Sequence, residues 1–459
     1  RDPRKRQQIV PAAADRAVAG VRGNVSFSPG EGRRRFTNRN TSALAVASLF
    51  FPMTRLIGVE VDCPFSPGML RKVVHAGTQS ASFVAATKDL SALAETEVSR
   101  ERVERWTKRV GKERVAQMDE LAARYQTLPL PKRQVSPTCQ TPQVACVQMD
   151  GGRIQIRQRD ASCGENDAKA KGHWRESLVG CLLRMTSEEH AEDPCPLIPK
   201  TFVDPKRMAA LGREIKGFSA DSEDAEEMPE DSPDDRPERP NALVKSVVAT
   251  RRGIETFGRR LISAAYARGF SAAPRKAFVA DGSATNWSVH REHFSHYTPI
   301  LDFTHAICYV WAAAMAGRSD ESGWSEYLQW AQWLWSGATD RLIAAVDRRS
   351  EELGPPNKED ETSPAAVVAK TLVYLKNQQT RMRYPEYRKA GLPITSSHIE
   401  STIKQINRRV KGTEKFWDQG AEPLLQLAAD HISETNDLDR YWNRRHRRLE
   451  SMRCYRTAA

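Results

Sequence analysis

Two short apolar runs in this chain close on the same dipeptide. Val144-Ala145-Cys146-Val147-Gln148-Met149 leads into Asp150-Gly151, and Ala277-Phe278-Val279-Ala280 leads into Asp281-Gly282. Each run is short and stops at a turn signal. The pattern predicts a buried strand whose last side chain emerges where a sheet opens to solvent. A third acid arrives differently. Gly391-Leu392-Pro393-Ile394-Thr395-Ser396-Ser397-His398-Ile399-Glu400 runs into a basic amphipathic helix. Ile399, Ile403, Ile406 and Val410 form its apolar face, and Glu400, Lys404, Arg408 and Lys411 share a neighbouring one. Taken singly, Asp before Gly is a common turn pair, and a Glu opening a helix suits the positive end of its dipole. Taken together, two strand-end Asp residues and a helix-borne Glu could hold a pair of divalent cations. Such a pair clamps the attacking and leaving oxygens of a phosphodiester.

Composition narrows the class. The chain has 459 residues, enough for two or three domains, and a formal net charge of +12. That charge points to a polyanionic partner, nucleic acid above all, with plain solubilising charge as the alternative. The eight cysteines contain no Cys-x-x-Cys pair, so no structural zinc is expected. Their scatter fits a reducing compartment. No apolar core follows the basic N-terminus and no apolar run reaches the length of a membrane span, so neither a cleavable signal nor a membrane segment is expected.

The organisation follows from changes of period. Residues 1–60 are rich in Arg, Gly, Pro and Ser and read as a disordered basic arm. From 66 to 130 the pattern is helical. Phe83, Ala86, Leu90 and Leu93 make one stripe. After a break, Val103, Trp106 and Val110 make a second, which Gly111 is expected to end. Two short helices around a tight turn describe a helix-turn-helix, its second helix presenting Arg100, Arg102, Arg105, Lys108 and Arg109 to DNA. Strands are expected at Val144–Met149, Gly152–Gln158 and Trp174–Met185, then an acidic, disordered insert at 219–241. A long helix is expected over Leu243–Phe270, with further strands at Ala277–Ala280 and Pro299–Leu301. Antiparallel strands, a helix, then strands flanked by helices is the order of an RNase H-like α/β core, placed at 143–318. Residues 319–387 read as an all-helical insertion. Its Trp324, Trp330, Trp333 and Trp335 are either core or a base-stacking platform. The third acid and a basic tail occupy 388–459.

At these residues the chain resembles bacterial insertion-sequence transposases of the ISKra type, DDE enzymes distantly similar to the Mutator and hAT groups. The resemblance rests on Val147–Gly151, Val279–Gly282, Ile300-Leu301-Asp302-Phe303-Thr304-His305 and Gly391–Trp417. It implies that Asp150, Asp281 and Glu400 are the metal-binding triad, holding two Mg²⁺ with Mn²⁺ able to substitute. Asp302 and His305 would support the site as an Asp-x-x-His signature; in the competing assignment Asp302 is itself the second acid. Double-stranded DNA, as transposon ends and target, would be the substrate. The enzyme would work as a homodimer or higher oligomer in the cytoplasm, on the nucleoid. Lys404, Arg408 and Lys411 would contact DNA beside the metals, and Trp417 would either stack on an unpaired base or anchor its helix. A nuclease without strand transfer, or an inactive copy that only binds DNA, are the alternatives.

Overall fold

The computed structural model describes residues 63–135, 137, 141–157, 172–215, 239–357, 359–410 and 416–451. The expected arm at 1–60, most of the acidic insert and Lys411 lie outside them. The chain divides into two compact units. One holds the described residues up to Thr107 and those from Asp437 on, and the other is Lys108–Asn436.

The smaller unit begins with α1 (Pro67–Gln79) and α2 (Phe83–Ala94). Ser66 and Ser82 cap them, their hydroxyls accepting from the Met69 and Ala85 amides at 3.3 and 3.0 Å. The stripe Phe83, Ala86 and Leu90 is buried as expected, but Leu93 is 86 % exposed. Ala94, one full turn beyond Leu90, is buried in its place. The next helix, α3 (Arg100–Thr127), starts where the sequence predicts and buries Val103, Trp106 and Val110. It does not stop at Gly111. A Cβ on Gly111 would lie 2.5 Å from the Pro423 carbonyl oxygen, so this glycine permits a close approach rather than a helix end. Arg100, Arg102, Arg105 and Arg109 are exposed on α3 and Lys108 is half-buried.

In the larger unit a short helix, α4 (Leu130–Gln134), leads to a mixed sheet. Its strands are β1 (Val144–Arg157), β2 (Gly172–Thr186), β3 (Asn241–Thr250), β4 (Arg275–Ala280) and β5 (Thr298–Leu301). Their order is β3-β2-β1-β4-β5. β1–β2 and β2–β3 are antiparallel, and β1–β4 and β4–β5 parallel. Between strands lie α5 (Pro205–Ile215), α6 (Ile254–Ala267) and α7 (Ala284–His293).

Two strand assignments need correction. Val144–Met149 and Gly152–Gln158 are not separate; β1 runs unbroken through Gly151 and Gly152, paired with β2 along its whole length. Those glycines make room rather than a turn. A Cβ on Gly151 would sit 3.0 Å from Glu176 Oε1, and one on Gly152 3.1 Å from Ser177 Oγ. The third antiparallel strand is instead β3, within the segment read as one long helix. Ser246 to Thr250 are buried on successive residues, as in a strand covered on both faces. Gly253, at φ +87°, then starts α6.

The two sheet faces are distinguishable from single contacts. A Cβ on Gly180 would lie 2.8 Å from Leu261 and 3.0 Å from Phe257, so α6 covers the face shared with Met149. The opposite face, which carries Gln148 and Asp150, receives α13 (Ser397–Val410); Cys181 Sγ is 3.3 Å from Thr402 Oγ1. β6 (Phe416–Trp417) pairs with the far end of β1 and leads into α14 (Asp418–Ile432). Just beyond α14, Ser433 Oγ accepts from the Val247 amide at 2.9 Å and Glu434 Oε2 from the Lys245 amide at 2.7 Å. The outer edge of β3 is thereby closed to further pairing.

After β5, α8 (Phe303–Met315) is followed by α9 (Asp320–Trp335), α10 (Thr339–Leu353), α11 (Pro364–Gln378) and α12 (Tyr384–Lys389). Among the described residues of 319–387 no strand joins the sheet. Tyr327, Trp330 and Trp335 are core. Trp335 packs on Phe303 at 4.9 Å between ring centroids, and its Nε1 donates to the Cys195 carbonyl at 2.7 Å. α15 (Asp437–Ser451) belongs to the smaller unit, where Asp439 pairs with Arg71. No helix among the described residues is long and apolar enough to cross a membrane.

Candidate metal centre

The pairing register brings the two Asp residues together. β1 and β4 run parallel, with Gln148 opposite Val279, and their pairing ends there. Asp150 and Asp281 each lie two residues beyond that last pair, close enough for the Asp281 charge to act on the Asp150 carboxyl. Asp281 stands just past the end of β4, as expected. Asp150 stands within β1, at the point where β1 loses β4 as its neighbour.

Glu400 comes to the same face because α13 is docked by name. Buried Gln148, two residues before Asp150, donates through Nε2 to the Thr395 carbonyl at 3.0 Å. Its Oε1 accepts from the Ile399 amide at 3.2 Å. The Phe303 amide donates to the Ile394 carbonyl at 2.9 Å, and the Ser396 amide to Asp302 Oδ1 at 2.7 Å. The loop before α13 is thus tied to β1 and to the end of β5, which fixes where the first helical turn points.

Mutual proximity shows in the electrostatics. Burial, then the charge of Asp281, and further off that of Glu400, push the Asp150 carboxyl up to about 7. The Gly151 amide, which donates to Asp150 Oδ1 at 2.7 Å, and the His305 charge oppose this. Burial would lower His305, but the hydrogen bond and charge of Asp302, with Asp281 and Glu400 behind them, raise it to about 9. The Asp302 carboxylate thus favours the protonated form of the imidazole.

Asp302 and Asp281 differ in what they leave available. Asp302 is fully buried. It caps α8: Oδ2 accepts from the His305 amide at 2.9 Å and meets Nδ1 of the same residue at 2.6 Å, while Oδ1 holds Ser396. Asp281 is half-buried and receives Ser283 N at 2.9 Å and Asn286 Nδ2 at 2.7 Å on one oxygen, Oδ1. Asp302 ties the loop before α13 to the end of β5 and orients the His305 imidazole.

Asp302, His305 and Glu400 could hold a metal ion, since one ligand atom from each lies within 4.8 Å of the others. Asp150 and Asp281 stand near this group, since the Asp150 carboxyl feels the charges of Asp281, His305 and Glu400. Acids crowded enough to raise the proton affinity of Asp150 suit a hard divalent cation, which would relieve that crowding.

Lys404 and Arg408 are exposed on α13, and Ile399, Ile406 and Val410 are buried, with Ile403 half-buried. Trp417 is placed by its backbone in β6, opposite Arg157. Sequence reasoning missed Gln148 and Asn286. Gln148 had a signal, being the one polar residue inside the apolar run before Asp150. Asn286 had none. Neither protein-family models nor curated proteins give a match to this chain.

Proposed function

We propose that this chain is a DDE-type DNA transposase with an RNase H-like core, cutting and joining transposon ends on double-stranded DNA. The observation that carries the reading is the closeness of Asp150 to Asp281 at the ends of neighbouring parallel strands, with α13 and its Glu400 docked through Gln148. The mixed sheet in the order β3-β2-β1-β4-β5, with its first three strands antiparallel and helices packed against it, supports an RNase H-like reading. The resemblance to ISKra-type insertion-sequence transposases adds to it.

Asp150, Asp281 and Glu400 would hold two Mg²⁺, or Mn²⁺ in their place. Held there, such cations would supply Lewis-acid activation of a water or DNA 3′-hydroxyl and charge stabilisation of the leaving oxygen. Asp302 keeps His305 turned into the site through its hydrogen bond to Nδ1. The His305 imidazolium supplies positive charge next to the scissile phosphate. Lys404 and Arg408, one and two turns beyond Glu400, bind flanking phosphates, and Lys411 and Trp417 extend that track. Arg100, Arg102, Arg105, Lys108 and Arg109 on α3 serve as a helix-turn-helix-type contact to the transposon end. The working assembly is a homodimer or higher oligomer on nucleoid DNA in the cytoplasm.

The test is cleavage of DNA flanking the gene by the full chain in Mg²⁺, with end labelling to find 3′-hydroxyl products. Metal-dependent nicks at a repeated terminal sequence, followed by joining to a target plasmid, are expected. Cleavage that persists in chelator, or that survives Asp281→Asn, would refute the proposal.

A further inference from the structure

The all-helical segment after α8 looks, from its sequence, like an appendage to the sheet. Its side chains say otherwise. On α11, Tyr374 donates its hydroxyl to the Asp281 carbonyl at 2.8 Å, and Gln378 Nε2 donates to the Gly282 carbonyl at 3.0 Å. On α12, Tyr384 donates to the Leu301 carbonyl at 3.2 Å and Tyr387 to the Pro299 carbonyl at 3.3 Å. Four side-chain donors therefore reach backbone carbonyls at the ends of β4 and β5, where Asp281 and Asp302 sit. Burial keeps the Tyr374 and Tyr384 phenols protonated, so both remain donors at every working pH.

The contact at Asp281 is also steric. Gly282 has φ +98°, and a Cβ there would lie 2.8 Å from the Tyr374 ring. The ring is itself fixed, stacked on Tyr309 of α8 at 4.0 Å and 15°. A glycine turn pressed against an immobilised ring, with both of its carbonyls hydrogen-bonded, has little freedom to carry Asp281 away from Asp150.

We propose that α11 is the positioning element for the second acid: Tyr374 and Gln378 hold the Asp281-Gly282 turn so that Asp281 stays within reach of a cation shared with Asp150 and Glu400. This rests on the reading of Asp281 as a metal ligand. It makes the helical segment part of the metal centre rather than a separate DNA-binding insert.

The experiment uses the full chain without DNA, comparing wild type with Tyr374→Phe/Gln378→Met, which keeps the ring and the volume and removes both donors. Two quantities are read well below the melting temperature: Mn²⁺ affinity by electron paramagnetic resonance, and amide exchange over residues 281–286. The double variant should bind Mn²⁺ about tenfold more weakly and exchange about tenfold faster over 281–286, with exchange in β1 unchanged. Val373→Ala, 59 % exposed on the same helix, should alter neither. Unchanged exchange at 281–286 overturns the proposal, as does unchanged Mn²⁺ affinity in a protein whose wild type binds the ion. If the wild type binds no Mn²⁺, the triad reading fails, and the exchange data still decide whether α11 positions the turn.

Discussion

Replacing Asp150 with Asn isolates the cost of holding charge in this centre when no cation is present. Burial and the neighbouring Asp281 charge, with Glu400 adding to them, move the Asp150 carboxyl from 3.8 to about 7. An acid that binds its proton more tightly when folded stabilises the fold at low pH, and that stabilisation is lost as pH rises through about 7. Each pH unit between the unfolded and folded values corresponds to about 1.4 kcal/mol. At pH 8 holding the ionised carboxylate in the fold costs roughly 4 kcal/mol, and at pH 5, where the folded carboxyl keeps its proton while the unfolded one has lost it, the cost is roughly 1.5 kcal/mol. Asn keeps the shape and carries no charge. In chelator, the stability of Asp150→Asn relative to wild type should therefore rise by about 2.5 kcal/mol between pH 5 and pH 8, roughly 5 °C in melting temperature. Urea unfolding at the two pH values reads the difference directly. In Mg²⁺ at pH 8 the order should reverse, because only wild type gains stability from the ion. A gap between the two proteins that is the same at both pH values would refute the crowding argument.

Three further outcomes follow from the site and its surroundings. Glu400→Gln should lower strand cleavage by a factor on the order of 10³ or more while leaving DNA affinity intact, since it removes a cation ligand and keeps size; gel-shift and cleavage assays on one DNA separate the two effects. Charge reversal at Arg102 and Arg105, both exposed on α3, should weaken DNA binding and flatten its salt dependence without altering Mn²⁺ affinity; unchanged salt slopes would remove α3 from the DNA interface. Gln148→Leu strands the Thr395 carbonyl and loosens the start of α13, so it should cost about 2 kcal/mol in urea unfolding and weaken Mn²⁺ binding as well; a stability loss with unchanged ion affinity would mean that Gln148 does not position Glu400.

Much of the candidate site's local setting was legible in the sequence because strand ends and helix faces are local features. An apolar run ending on Asp-Gly marks Asp281 at a strand end whatever the topology, and the apolar spacing of Ile399, Ile406 and Val410 places Glu400 in the first turn of a helix. The pairings were less legible. Gly151-Gly152 has the composition of a turn, yet β2 pairs straight through it, because the residues opposite need the space that a Cβ would fill. β3 carries valines at positions that fit a helical stripe as well as a strand, and only its pairing with β2 and burial on both faces decide for the strand. Gly111 has the look of a helix stop and serves as a contact point. The role of Asp302 turns on hydrogen bonds that no spacing reveals: its oxygens cap α8 and hold Ser396. Gln378 and Tyr374 lie more than ninety positions from Asp281 in sequence, and nothing local ties them to it.

The central claim is that one cation-binding centre joins Asp150, Asp281 and Glu400. Crystals of the full chain soaked in Mn²⁺, with data collected at the manganese absorption edge, test it most directly. Anomalous peaks are expected between the three carboxylates, within ligand distance of Asp150 and Asp281 and with Glu400 in the coordination shell. They should vanish in Asp281→Asn. A single peak held by His305 and Glu400 alone, with Asp150 and Asp281 turned away from it, would contradict the claim, as would the absence of any peak on this face of the sheet.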